Sequence, residues 1–218
     1  MNRLNYQNTL DELKREILKM GSLVKEQIEL TVSALAAQDL ELAQKVIDRD
    51  DLVDALELKI EEQCLKLIAT QQPMAKDLRT IAAGIKIIID LERIGDNAVD
   101  IAKTTLRIGH EPLMKPLIDI PRMTVITEDM LKDALQAYVN EDVELAESLA
   151  EKDHEVDRLH GQVIRDVLTY MFENPKNITQ GTHLMFISRY LERIADHVTN
   201  LGENIIYMVT AERKDLNT

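Results

Sequence analysis

Four pairs of acidic residues share one spacing, in which the second acid follows the first by four positions. The pairs are Asp50 and Asp54, Glu92 and Asp96, Asp153 and Asp157, and Glu192 and Asp196. Residues four apart on a helix lie on one face, and like charges there destabilise the helix by about 0.2–0.5 kcal/mol. A multivalent cation held between the carboxylates would offset this repulsion. The spacing therefore predicts metal ligation wherever these segments are helical.

The type of ligand indicates the type of ion. Carboxylate oxygens favour hard cations such as Mg, Ca, Mn or iron over tetrahedral zinc, and the chain has one cysteine and five histidines. We expect iron, with manganese and magnesium as alternatives. Asp100, on the same helical face as Asp96, is a weaker ligand candidate. His154, His160 and His197 lie close in sequence to the second-half acids, although an ordinary surface histidine is the more common role at each position.

Several nearby residues favour structural roles. A single acid pair is most often part of a solvated helix face, but recurrence at matching positions favours a binding site. Arg93 and Arg193 directly follow the motif glutamates and point about 100° away, so we expect them to pair with other helices. Cys64 lies in an apolar helical run and is expected to be a buried, inert thiol. No familiar nucleotide-binding, hydrolase, redox or metalloprotease motif occurs, so the common catalytic signatures are absent.

The elements that position the acids are predicted to be helices. Apolar residues recur at spacings of three and four, and the chain contains only 7 Gly and 5 Pro, so we expect an all-α fold. The predicted helices are 5–37, 39–70, 75–108, 117–140, 142–172 and 178–212. Asp39 and Asp142 are predicted N-caps. Pro73 and Pro175 mark the ends of the second and fifth helices.

The two halves of the chain repeat each other. Leu91-Glu-Arg-Ile-Gly-Asp96 matches Leu191-Glu-Arg-Ile-Ala-Asp196, and Asp39-Leu-Glu-Leu-Ala43 matches Asp142-Val-Glu-Leu-Ala146. We expect two pseudo-symmetric three-helix bundles: residues 1–108, a proline-containing linker 109–121, and residues 122–218. Antiparallel second and third helices would bring four carboxylates together in each half. Because Glu57 and Glu61 continue one motif stripe toward solvent, the site is expected to line a groove at the edge of the core.

Charge and hydropathy exclude several classes of protein. The formal net charge is −13, so the electrostatic field of the protein repels nucleic-acid backbones and anionic membrane surfaces. Residues 1–10 lack a basic patch followed by an apolar run, and no window approaches the roughly 18 apolar residues of a membrane-spanning helix. We expect a cytoplasmic protein without membrane insertion and without a nucleic-acid partner.

The duplicated motifs resemble those of the PhoU family along the whole chain. The strongest stretch runs from Asp77-Leu-Arg-Thr-Ile-Ala-Ala82 to Asp90-Leu-Glu-Arg-Ile-Gly-Asp-Asn-Ala98, with Tyr190-Leu-Glu-Arg-Ile-Ala-Asp-His197 as its second-half counterpart. The resemblance implies two three-helix bundles, two acidic motifs in each half, and multinuclear metal clusters in some members. All eight motif acids are present. One departure is Asn97, where similar proteins often have histidine, so the two sites are expected to differ.

The resemblance also implies a function. PhoU proteins restrain phosphate import and the phosphate-starvation response, and their proposed partners are the ATPase subunit of the phosphate transporter and a sensor histidine kinase. This chain is therefore expected to be a negative regulator that acts as a metal-binding adaptor and has no enzymatic turnover of its own. Nothing in its composition or spacing identifies residues that contact either partner.

The sequence leaves two other functional classes open and also indicates a state of assembly. A carboxylate-bridged di-metal oxidase or ferritin-like protein would carry two Glu-x-x-His motifs, whereas this chain has one, Glu151-x-x-His154, and the related Asp157-x-x-His160. A helical adaptor without metal is the third possibility. We also expect a homodimer, because Leu4, Leu13 and Ile17 form an apolar stripe that a three-helix bundle need not cover completely.

Overall fold

A computed structural model describes residues 3–216 of the chain, with side chains from residue 8 onward. This part of the chain is helical and contains no strand. The helices are α1 (Arg3–Ala37), α2 (Leu40–Asp48), α3 (Asp51–Gln71), α4 (Lys76–Ile108), α5 (Asp119–Asn140), α6 (Val143–Glu147), α7 (Leu149–Glu173) and α8 (Ile178–Thr210), with a 3-10 turn at Pro175–Asn177 before α8. The all-α fold, with two repeats of three helical segments, is confirmed.

The predicted helix boundaries are set by local side-chain chemistry. The carboxylate of Asp39 accepts a hydrogen bond from the Leu42 amide at 2.9 Å, and that of Asp142 accepts one from the Leu145 amide at 3.0 Å. Each side chain satisfies one of the free amides in the first turn of its helix. Both predicted N-caps are therefore confirmed, and the helices before Pro73 and Pro175 end where proline was expected to stop them.

The predicted second and fifth helices are each interrupted. The break between α2 and α3 lies at Arg49 and Asp50, and the break between α6 and α7 lies at Ser148. At the first break the Asp50 amide donates to the Ile47 carbonyl at 3.3 Å. This hydrogen bond joins residues three apart, instead of the four apart of an α-helix. The backbone stays in the right-handed helical region there, so the apolar periodicity continues and conceals the interruption. As a result, Asp50 lies at the junction itself.

The connection between the halves is shorter than predicted. Helix α5 begins at Asp119, so Pro121 belongs to its first turn, where a missing amide hydrogen has no consequence. Side chains from both halves hold the connection in place. Gln38 donates to the carbonyls of Gly109 and Glu111, while Gln180 accepts from the Met114 amide at 2.6 Å. Hydrogen bonds therefore attach the connection to both repeats.

One hydrophobic core spans both halves. It includes Leu91 and Ile94 of α4 together with their counterparts Leu191 and Ile194 of α8. Helices α4 and α8 pack more extensively than any other pair in residues 3–216. They run antiparallel, because Arg79 Nε donates to the Met208 carbonyl at 3.5 Å and Asp90 contacts residues near the middle of α8. The two three-helix repeats are thus fused through their third helical segments.

Several expectations concern burial. Leu13 and Ile17 are fully buried within the bundle, so the apolar stripe from which we expected a homodimer is covered internally; the Leu4 side chain lies outside the described part of the chain. Cys64 is buried, as predicted, and burial raises the pKa of its thiol to about 12. Between residues 3 and 216, no helix combines the length and the apolar character that crossing a membrane requires.

Candidate metal centres

The four acids of the first half come together where α3 begins and α4 is at its midpoint. We call Asp50, Asp54, Glu92 and Asp96 the first cluster. Burial, followed by repulsion from Asp96 and a smaller repulsion from Asp54, raises the pKa of Glu92 to about 7. Burial also raises the pKa of Asp50, with smaller contributions from Asp54 and Asp96. Each carboxylate therefore lies within the electric field of the others.

The second half repeats the arrangement on α7 and α8. We call Asp153, Asp157, Glu192 and Asp196 the second cluster. Burial, followed by repulsion from the other three acids of the cluster, raises the pKa of Asp153 to about 7. Burial and repulsion also raise the pKa values of Glu192 and Asp196. The structure thus brings together all four predicted acids in each half.

The chemistry of the second cluster fits a hard cation. Asp153 is only 4% exposed, and Glu192 is 9% exposed. Within the described chain, Asp153 Oδ1 and Glu192 Oε2 are buried and accept no hydrogen bond. A buried acceptor without a partner destabilises a protein by about 1–3 kcal/mol, and more when the group is charged. A cation bound by these oxygens would supply the missing interaction, so the donor set fits the predicted ligand role.

The arginines near the clusters depart from expectation. Arg93 pairs with the motif acids of its own helix, with Nε 3.4 Å from Glu92 Oε2 and Nη1 3.2 Å from Asp96 Oδ2, so the prediction that it pairs with another helix is wrong. The long side chain reaches back over its own turn, which an argument from helical angle alone does not capture. In the second cluster, Arg189 pairs with Glu192, one turn away along α8, and sequence reasoning missed this residue. Its position three residues before the motif was an available signal.

The histidines divide between the second cluster and other contacts. Ligand atoms of His154, Asp153 and Asp157 lie within 4.8 Å of one another, which places His154 beside the cluster. His160 Nδ1 lies 3.0 Å from Ser188 Oγ, and burial lowers the pKa of its imidazole. His197 lies between the halves instead, with Nδ1 3.0 Å from Asp90 Oδ1. Of the three, His154 has the best placement for a metal ligand.

Two other side chains change the composition of the first cluster. Glu57, which we expected near solvent, is half-buried, and burial together with repulsion from Glu61 and Asp54 raises its pKa. Gln27, on α1, donates from Nε2 to Asp50 Oδ1 at 3.2 Å. Sequence reasoning missed Gln27 because α1 carries no motif. Asp100, the weaker ligand candidate, pairs with Lys103 at 3.6 Å.

The fold and the clusters together define a duplicated all-α protein with one acidic cluster in each three-helix repeat. Comparison with known proteins agrees with this class. The family model described as "PhoU domain" matches the chain twice, at residues 17–105 and 120–205. A protein of Clostridium acetobutylicum named "Phosphate-specific transport system accessory protein PhoU homolog" is 39% identical over 218 residues, which cover 100% of both chains. A protein of the same name from Aquifex aeolicus is 42% identical and covers 93% of this chain and 92% of its own.

A solved structure is similar as well. The crystal structure of PhoU from Pseudomonas aeruginosa has a TM-score of 0.91 and 35% sequence identity, and the match covers 95% of this chain and 100% of that one. The chain belongs to the PhoU family. The predicted resemblance is therefore confirmed. The expectation of a protein without enzymatic turnover agrees with the names of these relatives, which describe accessory proteins.

Proposed function

We propose that this chain is a cytoplasmic accessory protein of a phosphate-specific transport system and a negative regulator of phosphate uptake and of the phosphate-starvation response. Membership of the PhoU family and the names of the relatives support this role. Its action is that of an adaptor between the ATPase subunit of the transporter and a sensor histidine kinase. A di-metal oxidase is not favoured, because the relatives along the whole chain are accessory proteins.

The observation that carries the metal-binding part of the proposal is the convergence of four carboxylates in each half, with buried oxygens of Asp153 and Glu192 in the second cluster that accept no hydrogen bond within the described chain. The ligands of the first ion would be Asp50, Asp54, Glu92 and Asp96, and those of the second Asp153, Asp157, Glu192 and Asp196. When bound, iron, manganese or magnesium would supply positive charge between the helices that carry these acids. Each cluster lies between the second helical segment of a repeat and the third, so a bound ion would hold these two segments together.

The regulatory role is tested in cells. Deletion of the gene should raise phosphate uptake and phosphatase output when phosphate is plentiful, because the restraint on the transporter and the kinase is lost. Wild-type protein supplied from a plasmid should restore both to their basal levels. Normal uptake and phosphatase output in the deletion strain would contradict the proposed regulation.

The metal sites are tested by elemental analysis of purified protein, prepared without chelator or metal-affinity steps and then offered Fe, Mn or Mg. Asp54→Asn with Asp96→Asn should remove the metal of the first cluster only, and Asp157→Asn with Asp196→Asn that of the second only. Asp11→Asn with Glu12→Gln is the matched control, since it removes two charges from exposed positions of α1. Wild-type protein that holds no metal would show that the acids form solvated faces.

The predicted homodimer remains part of the proposal, on different residues. Large apolar side chains are exposed on both halves, among them Leu58 and Leu65 on α3, Phe172 on α7 and Phe186 on α8. Such exposed side chains are removed from water only when the chain associates with another molecule. Light scattering at micromolar concentration should give about twice the mass of one chain. A measured mass of 24.9 kDa would exclude the dimer.

A further inference from the structure

Gln27 is a buried amide that reaches the first cluster from a third helix. Its side chain is 5% exposed, and Nε2 donates to Asp50 Oδ1 at 3.2 Å. Its carbonyl oxygen, Oε1, is buried and accepts no hydrogen bond within the described chain. An amide nitrogen donates and an ionised carboxylate only accepts, so the contact with Asp50 fixes which end of the amide faces the acid. The acceptor end is therefore the end without a partner.

Gly95 provides the space that this amide occupies. A Cβ atom at Gly95 would lie 3.2 Å from Gln27 Oε1 and 3.6 Å from Asp50 Oδ1. The first of these distances is tighter than most contacts of a real Cβ, so a side chain at position 95 would press on the amide. Gly95 directly precedes the ligand candidate Asp96 on α4. The Gln27 amide thus lies against the α4 side of the cluster, with its unpartnered oxygen beside the backbone that carries the motif.

The second half has no such amide. In the register that aligns the N-caps Asp39 and Asp142, Gln27 corresponds to Met130, and in the motif register Gly95 corresponds to Ala195. Met130 is a fully buried core residue. A thioether accepts hydrogen bonds only weakly and cannot donate one to a carboxylate. The amide and the space that accommodates it therefore occur together in the first half and are both absent from the second.

We propose that Gln27 is a positioning residue that completes the first cluster as a hard-cation site. Its Nε2 holds Asp50 in the orientation that faces the other acids, and its Oε1 accepts a hydrogen bond from water bound to the ion. This inference rests on the proposed metal role of the first cluster. Neutral amide oxygens and bound waters are common around hard cations, so this contact suits the ions expected there. The simpler alternative is a core amide whose oxygen meets an isolated water, with no effect on metal affinity.

The test uses Mn²⁺ alone as the probe and full-length protein whose second cluster is silenced by Asp157→Asn and Asp196→Asn. Free Mn²⁺ is measured by electron paramagnetic resonance during titration. Gln27→Met, which introduces the residue of the second half, should raise the Kd at the first cluster about tenfold, a loss typical of outer-shell contacts. Thr31→Val is the matched control: Thr31 lies one turn further along α1 and donates to the Ala98 carbonyl at 3.0 Å. This control should leave the Kd within about twofold.

A second variant covers the case in which Gln27→Met fails to fold. Gly95→Ala keeps the amide but displaces it, so it should raise the Kd several-fold, whereas the reciprocal Ala195→Gly should leave the second cluster unchanged in protein that retains it. If the silenced parent binds Mn²⁺ and neither Gln27→Met nor Gly95→Ala weakens the binding, the role of Gln27 is wrong while the metal site stands. A parent that binds no Mn²⁺ overturns the first metal site and this inference together.

Discussion

The two clusters carry equivalent acids in different surroundings. In the first, Asp50 is half-buried and receives a hydrogen bond from Gln27. In the second, Asp153 is 4% exposed and its Oδ1 accepts no hydrogen bond within the described chain. The repeated motif therefore fixes which acidic side chains converge. Whether an acid also receives a hydrogen bond from the protein depends on the helix that packs behind the motif. The second cluster has more to gain from a bound cation.

The largest expected effect is the pH dependence of stability in protein freed of metal by a chelator. The pKa values of Glu92 and Asp153 are both raised to about 7 in the folded state. A raised pKa favours the folded state below the ordinary pKa of a carboxyl group, and this contribution is lost as the pH rises through about 7. The free energy of unfolding should therefore fall between pH 5 and 8, by on the order of 3 kcal/mol for each group.

Two substitutions separate the clusters in this measurement by chemical denaturation. Asp153→Asn should remove a large part of the pH dependence, because it deletes the more deeply buried acid. Asp50→Asn should remove less, since Asp50 already has a hydrogen-bond donor that lowers its pKa. Equal effects of the two substitutions would show that the halves are electrostatically alike. A free energy of unfolding that does not change from pH 5 to pH 8 would refute the raised pKa values themselves.

A smaller effect is expected where the third helical segment packs on the short helix of each repeat. A Cβ at Gly202 of α8 would lie 3.0 Å from the carbonyl oxygen of Ala146, which belongs to the backbone of α6. The first-half counterpart is Ala102, which packs with Ala43 and Val46 of α2. Position 202 thus has little room for a side chain against α6, whereas position 102 accommodates an alanine methyl group against α2.

Thermal or chemical unfolding checks this difference. Gly202→Ala should destabilise the protein by about 1–3 kcal/mol, because backbone atoms cannot move aside as a flexible side chain can. Ala102→Gly should cost about 1 kcal/mol through the lower helix propensity of glycine. If Gly202→Ala is instead stabilising, the close approach of α6 to α8 is wrong.

The smallest expected effect concerns the arginines beside the clusters. Arg93 pairs with acids of the first cluster and Arg189 with Glu192 of the second. Both guanidinium groups are about half exposed, so each pair should contribute only about 0.2–1 kcal/mol to stability. Because an arginine competes with a metal ion for the carboxylates, its removal should tighten metal binding at its own cluster.

This competition is measured by Mn²⁺ titration of Arg93→Gln and Arg189→Gln. Each substitution should lower the Kd of the adjacent cluster a few-fold and leave the other cluster unchanged. Arg189→Gln should have the larger effect, since Glu192 is the more buried partner. Weaker binding after either substitution would show that the arginine supports the metal site and does not compete with it.

Much of the fold follows from local patterns in the sequence. The N-caps at Asp39 and Asp142 and the stops before Pro73 and Pro175 depend on neighbouring residues, and the duplication placed the acids in register. The break at Asp50 could not be seen, because the backbone there remains right-handed and the apolar spacing continues. The sequence predicted which acids form each cluster. It did not predict the neighbouring side chains that offset their negative charge.

The missed features share a physical origin. Gln27 meets Asp50 through packing between helices that are not consecutive, a contact that no spacing along one helix encodes. The pairing of Arg93 with its own helix depends on a long, flexible side chain whose direction is set by surrounding charges. The burial of Leu13 and Ile17 depends on how closely α1 packs against the other helices, as in the contact of Ile17 with Gly84 of α4. Tertiary packing, not local sequence, decides each of these features.

The packing of α4 on α8 also has a consequence for synthesis of the chain. Helix α4 ends at Ile108, but α8, the helix that covers it, ends only at Thr210. Bacterial or eukaryotic ribosomes add roughly 5–20 residues per second, so the covering helix follows α4 after roughly 5–20 s. During that interval the nascent first repeat presents an uncovered apolar face to the cell. Completion of the fold therefore has to wait until α8 has been synthesised.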